Sequence, residues 1–213
     1  MMKLFLQILT IAIVGFLLGG QMAVWQGRYQ RSSHNAPKVA EVGTVKSVPE
    51  KGSPAHIGGA FSLIDQTGAA VTEKSWPGQY KLVYFGYTHC ADTCPATLQK
   101  IVGVLQQLDP LEASKIVPLF ITVDPARDTV ITMAEYLSRF HSQRLVGLTG
   151  SAAQIAGVQK AYHVYTGKKD GTESLDSHSA YVYLMSPDGK LLQVFDSDTS
   201  AQDLLVKIQK YVK

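Results

Sequence analysis

Both cysteines of the 213-residue chain lie in one short stretch, GYTHCADTCPATL, residues 86–98. Three residues separate Cys90 from Cys94, one more than in the C-x-x-C pairs typical of thioredoxin-type exchange. This spacing still permits a reversible disulfide, and it also lets two thiolates face one soft ion such as Cu(I). A disulfide here would close a very small loop and stabilise the fold little. The pair therefore predicts a redox or metal-binding site and not a disulfide whose role is to stabilise the fold.

Histidine is the residue type that could complete a metal site with the two thiolates. Five of the six histidines have simpler explanations, in a polar segment, after helices, or beside a cysteine in an extended segment: His34, His56, His89, His141 and His163. His178 differs because it directly precedes the apolar run SAYVYLM, residues 179–185. If that run is a strand antiparallel to an earlier strand at 81–87, His178 lies at the sheet edge where the cysteines lie. Topology alone leaves open whether His178 is a ligand or a polar loop residue.

A strand-helix-strand unit is predicted to position the cysteines. The apolar runs at 81–87 and 116–123 are typical of strands covered on both faces. Apolar residues at helical spacing predict a helix over 95–109 between them, and such a unit forms a parallel pair with a right-handed crossover. Cys90 then follows the first strand at the edge where open α/β sheets bind ligands. Cys94 enters the helix, whose N-terminus favours a thiolate over a thiol.

The remaining pattern completes a single domain over residues 57–213. It predicts a hairpin at 60–72, helices at 130–141, 151–162 and 200–212, a short strand at 144–150, and a hairpin at 179–195 with an Asp-Gly turn. The fold class is α/β, a thioredoxin-like fold with a mixed central sheet and flanking helices. Hydrophobic residues make up 46% of the chain, enough for a core, and a net charge of +3 without a basic patch excludes nucleic acid as a partner.

The N-terminal part predicts a membrane anchor helix. After a short segment at 1–3, residues 4–25 carry no charge and suit one bilayer span, with Trp25 at the exit as an interfacial residue. Residues 26–56 are polar, rich in Ser, Gly and Pro, and read as a tether. The charges flanking the span do not fix its orientation.

A polar turn, VDPARDT, follows the second predicted strand and so lies at the same sheet edge. Asp124, Pro125, Arg127 and Asp128 are predicted to form a structural turn with an Asp-Arg pair. If they take part in the site, we expect them to contact and orient the ligands and not to bind the metal.

Three stretches, GYTHCADTCPATL, ITVDPARDT and HSAYVYLMSPDGK, resemble the signatures of the SCO/SenC family. Members of this family are membrane-tethered thioredoxin-fold proteins associated with copper delivery to cytochrome c oxidase. The resemblance implies a copper site formed by Cys90, Cys94 and His178. We expect one copper ion per chain, Cu(I) or Cu(II), because thiolate and imidazole together tolerate both states. In the oxidised form we expect a Cys90–Cys94 disulfide. It also implies a copper-site subunit of cytochrome c oxidase as the partner. Ala91 departs from the family, which commonly has proline there.

The resemblance also implies a location outside the cytoplasm. With no long Arg- and Ser-rich presequence before the span, the expectation is a single-pass protein of a bacterial inner membrane whose domain faces the periplasm or the outside.

Three functions remain open on these residues. The first is a metallochaperone, which passes copper on and turns over no substrate. The second is a thiol-disulfide oxidoreductase that reduces or oxidises the cysteines of a partner, with Cys90 or Cys94 as the attacking thiolate and the other thiol to resolve the mixed disulfide. The third, peroxide reduction at one thiolate with Arg127 as activator, is disfavoured by the closeness of the two thiols.

Overall fold

The computed structural model describes residues 57–164 and 181–212, together with the backbone of 167–169 and 172–174. The predicted anchor at 4–25, the tether at 26–56 and His178 lie outside the described residues. Within the described part, no helix has the length and apolar character that crossing a membrane requires.

The described chain contains nine strands and five helices. The strands are β1 Ser62–Asp65, β2 Ala70–Thr72, β3 Tyr80–Gly86, β4 Ile116–Thr122, β5 Val146–Thr149, β6 Gly167–Lys169, β7 Thr172–Ser174, β8 Val182–Met185 and β9 Leu191–Phe195. The helices are α1 Thr93–Gln107, α2 Pro110–Ser114, α3 Val130–Ser138, α4 Ala152–Ala161 and α5 Ala201–Tyr211. One seven-stranded sheet has the order β2-β1-β5-β4-β3-β8-β9, and β6 pairs with β7 in a separate small sheet.

The centre of the large sheet is parallel, as the two apolar runs predict. β3 and β4 pair in parallel from Tyr80 opposite Ile116 to Gly86 opposite Thr122. Every residue of β4 is buried, and so is every residue of β3 after Tyr80. Strands buried on both faces need no polar alternation, which is why both runs are apolar almost throughout.

The next strand along the sheet runs in the opposite direction. β8 pairs antiparallel with β3, with Lys81 opposite Met185 and Tyr84 opposite Val182. The sheet is therefore mixed, and the predicted α/β class with a mixed central sheet and flanking helices is confirmed. The start of β8 lies at the same edge as the end of β3. The prediction that His178 lies near the cysteines depends on this arrangement.

Helix α1 starts two residues before the predicted position, so that Cys94 lies inside its first turn. Its buried face consists of Cys94, Thr97, Leu98, Ile101, Val102, Val104 and Leu105. Ser200 caps the last helix, because its hydroxyl accepts from the amide of Asp203 at 3.0 Å.

Two of the histidines end helices in the left-handed conformation. His141 follows α3 with φ 49° and His163 follows α4 with φ 55°. At the second of these, the amide of Val164 donates to the carbonyl of Gln159 at 2.9 Å, the bond that closes a Schellman motif. Both histidines therefore have a structural position at a helix C-terminus, as their sequence context predicts.

Two elements were not predicted. Helix α2 has only five residues, too few for apolar periodicity, and begins with Pro110 after an Asp109 cap. The β6–β7 pair lies in a polar stretch without apolar alternation, which the sequence suggests to be a loop.

Candidate metal centre

The two cysteines lie at the junction between β3 and α1. Gly86 ends the strand, Cys90 lies in the connecting loop and Cys94 is the second residue of the helix. The amide of Cys94 donates to Cys90 Sγ at 3.4 Å. The two thiols are also within hydrogen-bonding reach of each other. The structure thus brings together the two sulfurs that the sequence predicted to work as a pair.

The two thiols differ in their exposure. Cys94 is fully buried, whereas Cys90 is partly exposed. Burial raises the pKa of the Cys94 thiol to about 12, although Tyr84 and the backbone of Tyr87 donate hydrogen bonds that oppose the shift. The expectation that the helix N-terminus makes Cys94 a thiolate is therefore wrong for the metal-free protein, because desolvation outweighs the helix terminus. A metal ion that binds Cys94 must displace a proton.

Two residues of β3 lie against the Cys94 sulfur. The Tyr84 hydroxyl donates to Cys94 Sγ at 3.4 Å. A Cβ on Gly86 would lie 2.8 Å from the same sulfur and 2.7 Å from Cε2 of Phe120. Only glycine at the end of β3 leaves room for this sulfur.

A stack of three aromatic rings lies behind the sulfur. The ring centres of Tyr84 and Phe120 are 5.9 Å apart, and those of Phe120 and Tyr136 are 5.7 Å apart. The hydroxyl of Tyr136 is buried and has no hydrogen-bond partner among the described residues. The two tyrosines thus share one stack, but of their two hydroxyls only that of Tyr84 donates a hydrogen bond to the sulfur.

Asp128 anchors the loop that carries Cys90. Its carboxyl group is fully buried and accepts from the amide of Thr88 at 3.0 Å and from the Thr88 hydroxyl at 2.5 Å. The Thr122 hydroxyl at the end of β4 donates to it at 2.6 Å. The prediction of a structural turn that supports the site from behind therefore agrees with the position of Asp128.

The other charged residues of the polar turn, Asp124 and Arg127, contact each other. Arg127 forms an ion pair with Asp124, and its guanidinium lies 6.0 Å from the centre of the Tyr87 ring. His89, beside Cys90, has its Nδ1 3.0 Å from the Thr88 hydroxyl and 3.8 Å from Asp128 Oδ1. The His89 imidazole is thus turned toward this turn, as expected of a residue that is not a ligand.

Among the described residues, the candidate metal site has two sulfur donors, Cys90 and Cys94, and no third ligand beside them. No group of three or more His, Cys, Asp or Glu that could hold a metal occurs in the described ranges, which do not include His178. Two thiolates suit Cu(I), which accepts low coordination, better than zinc, which takes four ligands. Sequence reasoning missed Tyr84 and Gly86. A glycine ending a buried strand was the available signal, because it often marks a close approach.

Relatives of this chain occur in eukaryotes. Protein sco1 of Schizosaccharomyces pombe is 38% identical over 208 residues, 94% of this chain and 77% of that protein. The SCO2 homolog of Bos taurus, a mitochondrial protein by its name, is 38% identical over 211 residues, 97% of this chain and 75% of that protein. The predicted placement in a bacterial inner membrane is wrong by this comparison, because these relatives are eukaryotic and the second is named as mitochondrial.

The fold has a solved counterpart that contains copper. The crystal structure of Arabidopsis thaliana ScoI with copper bound is 38% identical and superposes with a TM-score of 0.64, covering 73% of this chain and 99% of that one. The family model SCO1/SenC matches residues 49–213, which include both cysteines and all described strands and helices. The chain therefore belongs to the SCO1/SenC family.

Proposed function

We propose that this protein is a copper chaperone that delivers the ion to a copper-site subunit of cytochrome c oxidase during assembly. Cys90, Cys94 and His178 hold one copper ion per chain. The observation that carries this proposal is the pairing of the two thiols at the β3–α1 junction, with the Cys94 amide on Cys90 Sγ. Copper bound to the related ScoI supports the choice of metal.

The direction of β8 supports His178 as the third ligand. In the antiparallel pair, Val182 lies opposite Tyr84, near the end of β3 that leads to the cysteines. His178 precedes Val182 by four residues, as Tyr84 precedes Thr88 by four. The start of β8 therefore lies at the edge at which Cys90 and Cys94 lie. An imidazole added to two thiolates makes a donor set that tolerates both Cu(I) and Cu(II).

The proposed partner and anchor have support from the family resemblance and the sequence. The family resemblance supports a copper-site subunit of cytochrome c oxidase as the acceptor. Residues 4–25 suit a single bilayer span, and an anchor of this kind would raise the effective concentration of donor and acceptor at one membrane. Transfer then proceeds by ligand exchange to a site with similar donors.

The alternative is a thiol-disulfide oxidoreductase, and the difference in exposure favours one assignment of its thiols. Cys90 is partly exposed and can attack a partner's disulfide, whereas the buried Cys94 would resolve the mixed disulfide. In this function His178 need not bind metal.

Copper loading separates the two functions. The full chain is purified in detergent, reduced, and loaded with Cu(I) under anaerobic conditions, because oxidised cysteines cannot bind the ion. We expect one copper per chain for the unchanged protein and at least a tenfold loss of affinity for His178→Asn, on the order seen when metal sites lose a supporting group. His141→Asn is the matched control, because His141 ends α3 in a left-handed conformation that asparagine also adopts.

Two results would contradict the proposal. An unchanged copper affinity in His178→Asn would show that His178 is not the third ligand. A chain that retains no copper but exchanges disulfides rapidly would favour the oxidoreductase.

A further inference from the structure

We propose that the Tyr84 hydroxyl is a positioning donor that holds the Cys94 sulfur in its reduced place and shifts the Cys90–Cys94 pair toward the dithiol. This inference deepens the proposed function, because it concerns the regulation of the same two thiols. Its first test, however, needs no metal. A chaperone of this kind is active only while both cysteines are reduced, so the dithiol–disulfide balance controls how much protein can accept copper.

The hydroxyl is fixed from both sides. Tyr84 is fully buried in β3, and its ring stacks on Phe120 at an interplanar angle of 25°. Its hydroxyl donates to Cys94 Sγ at 3.4 Å, and the side chain of Thr97, one helical turn after Cys94, hydrogen-bonds to the same hydroxyl. A buried tyrosine hydroxyl usually requires a partner, and here the sulfur is one of two. The donor therefore has a defined position relative to the thiol.

The sulfur is confined as closely as the hydroxyl. Cys94 Sγ lies 2.8 Å from the position that a Cβ on Gly86 would occupy. It has no exposed surface. The thiol thus occupies a space bounded by the end of β3, with the phenol hydroxyl as a side-chain donor within reach.

Oxidation changes what the hydroxyl contacts. A bond forms between the sulfurs of Cys90 and Cys94, and the two thiols give up two electrons and two protons. With glutathione disulfide as the oxidant, these reduce its S–S bond and leave two glutathione thiols. A disulfide sulfur accepts a hydrogen bond less well than a thiol or thiolate sulfur does. The Tyr84 contact therefore stabilises the reduced pair more than the oxidised pair.

Tyr136 provides a matched control in the same stack. It packs on the other side of Phe120 at 5.7 Å, and its buried hydroxyl has no hydrogen-bond partner in the described part of the chain. Tyr84→Phe and Tyr136→Phe each remove one buried oxygen from one aromatic stack. Only the first removes a donor to sulfur.

The experiment equilibrates the metal-free full chain in detergent with glutathione buffers and counts alkylated thiols by mass. For Tyr84→Phe we expect the equilibrium constant for disulfide formation to rise about fivefold, the effect of one typical hydrogen bond, which lowers the reduction potential by about 20 mV. Tyr136→Phe should match the unchanged protein. In the copper(II)-loaded protein, Tyr84→Phe should also move the sulfur-to-copper charge-transfer band to lower energy, because the sulfur loses a donor.

The outcomes separate this inference from the proposed function. An unchanged glutathione equilibrium in Tyr84→Phe, or an equal shift in Tyr136→Phe, would overturn the inference. If Tyr84→Phe does not fold, Thr97→Val decides, because it removes the second contact of the hydroxyl and should shift the equilibrium in the same direction by less. No shift there would also overturn it. Failure of the unchanged protein to bind copper would instead refute the proposed function and leave the glutathione result standing.

Discussion

Gly86 lies close to the Cys94 sulfur, and an alanine there tests whether this close packing requires glycine. The added Cβ would lie 2.7 Å from Cε2 of Phe120, 2.8 Å from Cys94 Sγ and 3.3 Å from Cε1 of Tyr84. Real Cβ atoms essentially never come closer than 3.0 Å to another heavy atom, so the ring or the sulfur must move. All three neighbours are buried in the core, which leaves them little space.

The expected cost follows from this crowding. Overpacking a core by one methyl group typically costs about 1–3 kcal/mol. The reduced freedom of alanine in the unfolded chain offsets roughly 0.4–1 kcal/mol of it. A net loss of about 1.3 kcal/mol would lower Tm by about 3–5 °C in a domain of this size.

The control is the same substitution elsewhere. Gly103 lies inside α1, and a Cβ there meets nothing within 4 Å. Gly103→Ala should therefore raise the free energy of unfolding by about 0.8–1 kcal/mol through helix propensity alone. Thermal unfolding followed by circular dichroism compares the two variants under reducing conditions, without metal.

A site readout accompanies the stability measurement. In Gly86→Ala, the displaced sulfur of Cys94 should react faster with a small alkylating reagent than in the unchanged protein, because it loses part of its cover. Equal Tm values for Gly86→Ala and Gly103→Ala, with Cys94 equally protected in both, would refute the claim that glycine makes room for the sulfur.

Two further predictions concern stability. Asp128→Ala should lower the free energy of unfolding by about 3 kcal/mol, because it leaves the Thr88 amide and the Thr88 and Thr122 hydroxyls without their acceptor. Asp128→Asn should cost less, since an amide oxygen remains, and urea titrations giving the same midpoint for both variants would contradict the assignment. Burial also raises the pKa of Tyr183 and that of Cys94 to about 12, so both groups stay protonated at a pH where the unfolded chain ionises. Their contribution is complete below about pH 9 and is lost as pH rises toward 12, at about 1.4 kcal/mol per pH unit for each group once its unfolded pKa is passed. A urea midpoint that is the same at pH 8 and pH 11 would exclude this effect.

The central elements could be predicted from sequence because their signals are local. Two continuous apolar runs with a helical pattern between them leave little choice but a parallel pair, and the structure has β3 and β4 in that arrangement. The position of Cys90 and Cys94 at the strand-helix junction follows from the same reasoning. The antiparallel direction of β8 could only be assumed when His178 was placed near the cysteines. An apolar run does not show in which direction its strand runs in the sheet.

The environment of the thiols could not be predicted in the same way. Proximity to a helix N-terminus is visible in sequence and favours a thiolate. The burial that raises the pKa of Cys94 cannot be read from its neighbours in sequence, because Tyr84 and Gly86 lie against the sulfur only after the sheet has formed. In the same way, the hydrogen bond from Thr88 to Asp128 joins residues 40 positions apart in the sequence. No local pattern indicates which polar residue of the turn will be buried.

Asp128 has a consequence for how the edge of the sheet that carries the cysteines moves. Its carboxyl group receives donors from the loop after β3 and from the end of β4, while its carbonyl accepts from the Thr149 hydroxyl at the end of β5 at 2.7 Å. One residue thus joins the ends of three neighbouring strands. Opening the loop before Cys90 breaks bonds that also hold the sheet, so this loop belongs to the same cooperative unfolding unit as the core. The first part of the thiol site is therefore expected to be as rigid as the sheet interior, although it is loop in conformation.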